Sequence, residues 1–280
     1  MAIEPDRLDQ PGRELAAMLK RLRRRAGLSG VRLAAHCNMS QSKISRIEGN
    51  KARPSLLDVQ QILRALDVSP AVAAEVTALA RIAQTEWQGG RALRRKGLDK
   101  KQLQLARLEA SSTTFRYFLL SMITGLLATP AYVRASLGDA PSEQQMKTVA
   151  LKLERQRVLF DRSKRFTFLL TEAAVRYPLI PRDELAMQID HLTSLSRQPN
   201  IRIGILPMDT CLGTGALNTF TIYDEAVATA EPDLGAIVFR DARDVQDLIA
   251  RFTRYEEQAL FSGHARTQLT DWAEACRSGR

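Results

Sequence analysis

From residue 13 to residue 66, apolar side chains return every three or four positions, and turn formers cut that rhythm into short pieces. Helices of such length are marginal alone in water, so they have to pack on one another. Residues 13–26 read as an amphipathic helix with Leu15, Met18, Leu19 and Leu22 on one stripe and Gly27 placed to stop it. A second helix is expected over Gly30–His36 and a third over Gln41–Glu48, with Ser40 as its N-cap. Gly49 and Asn50 supply a turn. Pro54-Ser55 then opens a fourth helix, whose buried side is read as Leu56, Leu57, Val59, Ile62, Leu63 and Leu66. A fifth begins near Pro70, a residue tolerated in a first turn, and runs towards Trp87. Residues 1–88 thus read as an all-α, five-helix domain.

Charge is distributed unevenly. The chain of 280 residues carries a formal net charge of +10. Residues 1–100 hold 19 Lys and Arg against 10 Asp and Glu, whereas residues 101–280 hold 22 against 21. The basic excess therefore belongs to the helical part, where a polyanion would be drawn with strong salt dependence. A basic surface serving only solubility is the plainer alternative. The longest near-apolar run, Phe118–Ala128, has 11 residues, too few to cross a bilayer as a helix. The polar, acidic "MAIEPDRLDQPG" has no signal-peptide core. Cys37, Cys211 and Cys276 are far apart and form no metal spacing, so small buried or incidental thiols in a reducing, cytoplasmic setting are expected.

Gly89-Gly90 and the basic "RALRRKGLDKK" mark a linker, assigned to 89–104 and read as solvated, with a phosphate-contacting arm as the sharper alternative. Helical patterns follow around 101–112, 129–137 and 142–160. Then short β-branched and aromatic segments appear: "RFTFLLT" (165–171), "IRIGILP" (201–207), "NTFTIYD" (218–224) and "GAIVFRD" (235–241). Helical patterns recur at 182–196, 242–260 and 265–276. The second domain, 105–280, is expected to be mixed α/β with a small sheet, and the whole chain α+β.

The stretch "SQSKISRIEGNKARPS" (40–55) carries the functional reading. On a helix over 41–48, Ile44 and Ile47 face the core while Gln41, Ser42, Ser45 and Arg46 gather on the opposite face. Gln, Ser and Arg are groups that bind base edges. Asn38 enters the left-handed region more readily than most residues, as a sharp turn between helices requires, and Ala34 lets the helices approach. A helical bundle with an ordinary polar face is the bland alternative.

The string "LSGVRLAAHCNMSQSKISRIEGNKARPS" resembles the helix-turn-helix domain of the xenobiotic-response-element (Cro-like) family, over roughly residues 13–68. The resemblance rests on Gly27-Leu28, Leu33-Ala34, Asn38, Ser40-Gln41, Ile44, Ile47-Glu48 and Pro54. It implies that the helix over 41–48 enters the major groove. Gln41, Ser42, Ser45 and Arg46 would then contact bases, and Lys43, Lys51 and Arg53 would contact phosphates. It further implies a structural ion pair between Arg23 and Glu48. The rest of the basic run, Lys20, Arg21, Arg24 and Arg25, is read as a solvated face. The family commonly has Gln where this chain has Gly30, so one phosphate contact through a side chain is missing; the backbone N–H there remains.

In the second part, "LEASS" (108–112), "GLL-TP-Y" (125–132), "R-Q-VL" (155–159) and "NI-I-ILP" (200–207) resemble, in that order, an uncharacterised sensor-like domain found behind a helix-turn-helix in actinobacterial regulators. Where that family usually carries prolines before "GLL", this chain reads "FLLSMIT". The resemblance implies a transcription regulator whose second domain dimerises, binds a partner or senses a ligand.

Nothing in the sequence assembles a catalytic set. "CLGTGALNT" (211–219) lacks the lysine and hydroxyl residue of a phosphate loop and reads as a loop closing a hairpin or capping a pocket. Asp241, Asp244 and Asp247 suit a helix start. Asp224–Asp233 reads as an exposed loop between strands, and Phe220, Tyr223, Phe239 and Trp272 as core or interface. The expectation is a cytoplasmic, homodimeric, sequence-specific regulator of double-stranded DNA. It would have no enzymatic activity, metal, cofactor or membrane partner, and its second domain would respond to a small partner protein or a small-molecule effector. The alternative is an antitoxin-like, partner-binding protein whose DNA contact is autoregulatory.

Overall fold

The computed structural model describes residues 10–83, 86–89, 98–138, 143–232 and 235–279. The chain divides into two units, residues 1–88 with 237–241, and residues 89–236 with 242–280. Most of the expected basic linker, 90–97, lies outside the described residues; its last part, expected to be linker, is already helical from Leu98.

The first unit contains α1 (Gln10–Arg25), α2 (Gly30–His36), α3 (Gln41–Glu48), α4 (Leu56–Ala65) and α5 (Pro70–Ala83). Leu15, Leu19, Leu33, Ala34, Ile44, Ile47, Val59, Ile62 and Val76 form one buried core. Leu57, expected inside, is 61% exposed; two residues before Val59, it lies on the opposite side of α4 from the stripe that buries Val59, Ile62 and Leu63. Three chain reversals follow one recipe. After α1, Gly27 has φ 68° and Leu28 N–H reaches Arg23 O. After α2, Asn38 has φ 51° and Met39 N–H reaches Ala34 O at 2.9 Å. After α3, Asn50 has φ 52° and Lys51 N–H reaches Arg46 O at 2.7 Å. Each left-handed residue satisfies otherwise orphaned carbonyls and turns the chain at once. Parts of two short strands also cluster with this unit: residues 86–88 of β1 (Glu86–Gly89), not foreseen from sequence, and residues 237–239 of β7 (Gly235–Phe239), together with 240 and 241 after it. The two strands are neighbours in the sheet order, which is why 237–241 departs from the boundary expected for the second domain.

The second unit begins with α6 (Leu98–Ser111) and β2 (Thr114–Leu119), followed by α7 (Pro130–Ala135), α8 (Glu143–Arg155) and a 3-10 turn over Gln156–Phe160. Next come β3 (Arg165–Thr171), α9 (Glu172–Arg176), α10 (Arg182–Leu195), β4 (Ile201–Leu206), β5 (Phe220–Tyr223), β6 (Val227–Ala230), α11 (Ala242–Glu257) and α12 (Ser262–Ser278). The strands here run in the order β6-β5-β2-β3-β4. β2 is parallel to β3 and β3 to β4, whereas β5 is antiparallel to β2 and β6 to β5, giving a mixed sheet. Together the two parts make the chain α+β.

Two of these strands correct the sequence reading. β2 falls where the sequence reading places no strand, although Phe115, Tyr117 and Leu119 alternate onto one buried face. β6 lies inside Asp224–Asp233, where the sequence predicts an exposed loop. The charges stand at the ends of that stretch, while Ala228, Thr229 and Ala230 between them are buried.

In register, Phe115 pairs with Phe166 and Tyr117 with Phe168. Their rings stack at 4.5 and 4.8 Å, an arrangement that adds to the gain from burial. The opposite face of β2 carries Phe118, which stacks on Phe220 at 5.2 Å and meets Tyr255 of α11 at 4.8 Å. Gly204 in β4 is required by close approach, since a Cβ there would lie 2.6 Å from the Phe261 ring.

Candidate nucleic-acid interface

α3 is held from behind and from both ends. Ile44 and Ile47 are each 1% exposed. The Ser40 hydroxyl caps the N-terminus by accepting from Lys43 N–H at 3.2 Å. At the other end, Arg23 donates Nε to Glu48 Oε1 at 2.6 Å and Nη2 to Glu48 Oε2 at 2.8 Å, while Nη1 reaches Leu28 O at 2.7 Å. One guanidinium thereby fastens α1, the turn into α2 and the last turn of α3. The bidentate contact with Glu48 raises the Arg23 pKa against the opposing effect of its burial.

On the outer side, Gln41, Ser42, Ser45 and Arg46 are all exposed. The Ser42 hydroxyl stands 3.1 Å from the Ser40 hydroxyl. The Gln41 amide nitrogen lies 4.0 Å from where a Cβ on Gly30 would stand, so the side chain rests beside the N-terminus of α2. The four side chains expected at bases therefore share one open helical face. His36 is exposed at the motif turn, as a surface residue.

The three lysine and arginine residues expected at phosphates part company. Lys43 Nζ donates to Asp58 Oδ1 at 2.7 Å, tying α3 to the first turn of α4. Asp58 also forms a capping box with Ser55. Burial alone would raise the Asp58 carboxyl, but the bonds from Lys43 and Ser55 outweigh it and hold its pKa below the usual carboxylate value. Arg53 donates to Asn50 Oδ1 at 3.0 Å, and its guanidinium occupies the space that a Cβ on Gly12 of α1 would fill. Lys51 is exposed. Lys43 and Arg53 thus each bond to a side chain of the domain itself, pairings the sequence did not disclose, while Lys43 stays 47% exposed and Lys51 is exposed as well.

Elsewhere, none of the described residues forms a group of three or more His, Cys, Asp or Glu suited to a metal ion. No described helix is long and apolar enough to cross a membrane. Cys37 is buried, with its thiol pushed up in pKa chiefly by that burial, and Cys211 is exposed.

The first unit has the build of a helix-turn-helix domain, the class that DNA-binding regulators use, and a family model described as a helix-turn-helix domain matches residues 14–76. The chain as a whole belongs to the family described as a domain of unknown function, DUF5753, whose model matches residues 102–271. No curated protein matches the sequence. Among solved structures, NucT from Helicobacter pylori is similar at a TM-score of 0.39 and 8% identity, over 64% of this chain and 98% of that one. Nuc, a phospholipase D family member from Salmonella typhimurium, has a TM-score of 0.32 at 8% identity, over 58% and 90%. TrmBL2, an archaeal chromatin protein, has a TM-score of 0.35 at 12% identity, over 79% and 67%. These likenesses are too distant to bear on function.

Proposed function

We propose that the chain is a sequence-specific regulator of transcription of the xenobiotic-response-element type, belonging with the actinobacterial regulators its second half resembles. It acts in the cytoplasm as a homodimer and without catalysis. The observation that carries this reading is the outer face of α3: four exposed base-binding side chains on a helix fixed by two buried isoleucines and the Arg23–Glu48 fork. Preorganisation matters here because a reading helix that has to be ordered on binding forfeits affinity. Two such helices, brought about 34 Å apart by dimerisation, would enter successive major grooves. Gln41 and Ser42, at the N-terminal end of α3, reach base edges; Ser45 and Arg46 extend the contact; Lys43, Lys51 and Arg53 meet the backbone. The second unit modulates this binding through a small-molecule effector or a partner protein.

Selection of duplexes from a random pool by the purified full chain tests the reading. Recovery of one two-fold related pair of half-sites, and its loss with Gln41→Ala, is the expected result. Recovery of an unstructured pool at physiological salt would sink it.

A further inference from the structure

The four sequence fragments behind the second resemblance meet in space. Glu109 of "LEASS" takes a two-pronged ion pair from Arg155 of "R-Q-VL", which also donates to Gln102. Gln156 donates to Gly125 O at 2.8 Å and Ala128 O at 2.7 Å in "GLL-TP-Y". Tyr132, the last residue of that fragment, accepts from Ile123 N–H at 3.1 Å. Asn200 of "NI-I-ILP" donates to Leu159 O at 3.0 Å. These bonds form a frame.

Inside the frame, between α6, α7, α8 and the β2–β5 pair, lies a cavity of about 320 Å³. That is within the range of small-molecule sites, on the order of 300–1,000 Å³. Leu105, Leu119, Met122 and Leu137 give it apolar walls, and Thr219, from the loop read as a pocket cap, closes one side. Its remaining polar lining is largely hydroxyl. Tyr117 and Tyr223 present their rings edge-on to each other at 6.5 Å. The two hydroxyls approach closely enough to act on each other's titration as a hydrogen-bonded pair, but the contact falls short of normal hydrogen-bond geometry, so the Tyr117 hydroxyl, on a residue only 4% exposed, has no well-formed partner among the described residues. Thr229, paired in register with the cavity residue Thr221, has a buried hydroxyl that is likewise unsatisfied. An unsatisfied buried polar group is costly, and a ligand acceptor would recover that cost.

The charges near the cavity offset one another. Arg155 is committed to Glu109, Lys152 Nζ donates to the Ser136 hydroxyl at 3.2 Å, and Glu231 stands in the lining as a second carboxylate. Burial, before any other influence, raises both phenols well above their ordinary pKa, so they stay neutral donors at physiological pH.

We propose that this cavity binds an uncharged, largely apolar small molecule whose carbonyl or ether oxygen accepts a hydrogen bond from Tyr117. This rests on the reading of the second unit as a sensor and gives its effector a chemical class. Occupancy has a direct mechanical partner. Gln102 and Leu105 line the cavity from α6, the first described helix after residue 89, and the Arg155–Glu109 pair locks that helix to α8.

The test uses the full chain and three matched probes, acetophenone, benzoate and benzylammonium, followed by saturation-transfer NMR and thermal unfolding. Acetophenone is expected to bind saturably and the two ions not to bind. Tyr117→Phe should weaken acetophenone binding about tenfold without lowering the unfolding temperature, because it removes an unsatisfied hydroxyl and keeps the ring. Ser121→Trp, at an exposed lining position, should abolish binding in a protein that still unfolds cooperatively. The cavity assignment is overturned if acetophenone gives no saturable signal, if both ions bind as well as it does, or if neither variant differs from the wild type. Gln41→Ala should leave probe binding intact, which separates this outcome from the DNA reading. Saturable acetophenone binding with an unchanged operator affinity would support the cavity and refute the sensor role.

Discussion

Among the described residues, each unit of this chain contains a nearly buried arginine–carboxylate fork, and the two forks serve opposite purposes. Arg23–Glu48 has side chains 13% and 10% exposed and stands behind a polar face turned to solvent. Arg155–Glu109 has side chains 11% and 2% exposed and stands beside polar groups turned inward. In the first unit, packing frees hydrogen-bonding side chains for an external partner. In the second, it collects them around a cavity. Buried ion pairs add little net stability over a well-packed apolar replacement, but breaking one partner is costly, so both forks act chiefly as positional locks.

The largest effect should come from the more enclosed lock. Arg155→Met is expected to cost about 3–5 kcal/mol, because Glu109 is left charged and buried. Urea unfolding followed by the fluorescence of Trp272, in the core of the second unit, reports it. Adding Glu109→Leu should recover most of the loss; no recovery would mean that the pair does more than neutralise itself. Arg23→Met should cost somewhat less, about 3 kcal/mol, since Glu48 regains some water, yet it should abolish operator binding by loosening α3. Operator binding that survives Arg23→Met in full would remove the distinction drawn between the locks.

Smaller effects probe the first unit alone. Asn38→Ala places an alanine at φ 51° and should cost about 1 kcal/mol by thermal unfolding, whereas Asn38→Gly should be neutral or stabilising. The Lys43–Asp58 bond gives the smallest signal, and its sign is fixed. The folded-state pKa of Asp58 is depressed, so its stabilising contribution is complete above the ordinary carboxylate value of 3.8 and is lost as pH falls through the lower folded value. The difference in stability between wild type and Asp58→Asn should therefore shrink on acidification below that value.

Why the first unit was more legible in the sequence follows from the length of its interactions. Gly27, Asn38, Ser40 and Asn50 each act on backbone groups within about one helical turn, so the residue type announces the turn. The bonds that build the second unit join distant positions: Gln188 to Leu127, Lys164 to Glu109, and Thr113 to Asp224, 111 residues away. "LEASS" and "R-Q-VL" could be recognised in order, but nothing in their spacing says that Glu109 and Arg155 meet. β2 escaped for a related reason. Its period of two is blurred by Phe118, an apolar residue on the opposite face, because α11 covers that side of the sheet as well. In the reading face, Gln41, Ser42, Ser45 and Arg46 were foreseen as one exposed group. The hydrogen bonds from Lys43 to Asp58 and from Arg53 to Asn50 were not, since charge alone does not name a side chain's partner.

The central claim is that the outward face of α3 reads bases. Salt-titrated binding of the wild type, Gln41→Ala and Lys51→Ala to the selected duplex and to random duplex tests it most directly. Gln41→Ala should lose about 1–3 kcal/mol on the selected duplex and almost nothing on random duplex. Lys51→Ala should weaken both alike and reduce the salt slope by about one. Equal losses on both duplexes for Gln41→Ala, or a selective loss for Lys51→Ala, would contradict the account.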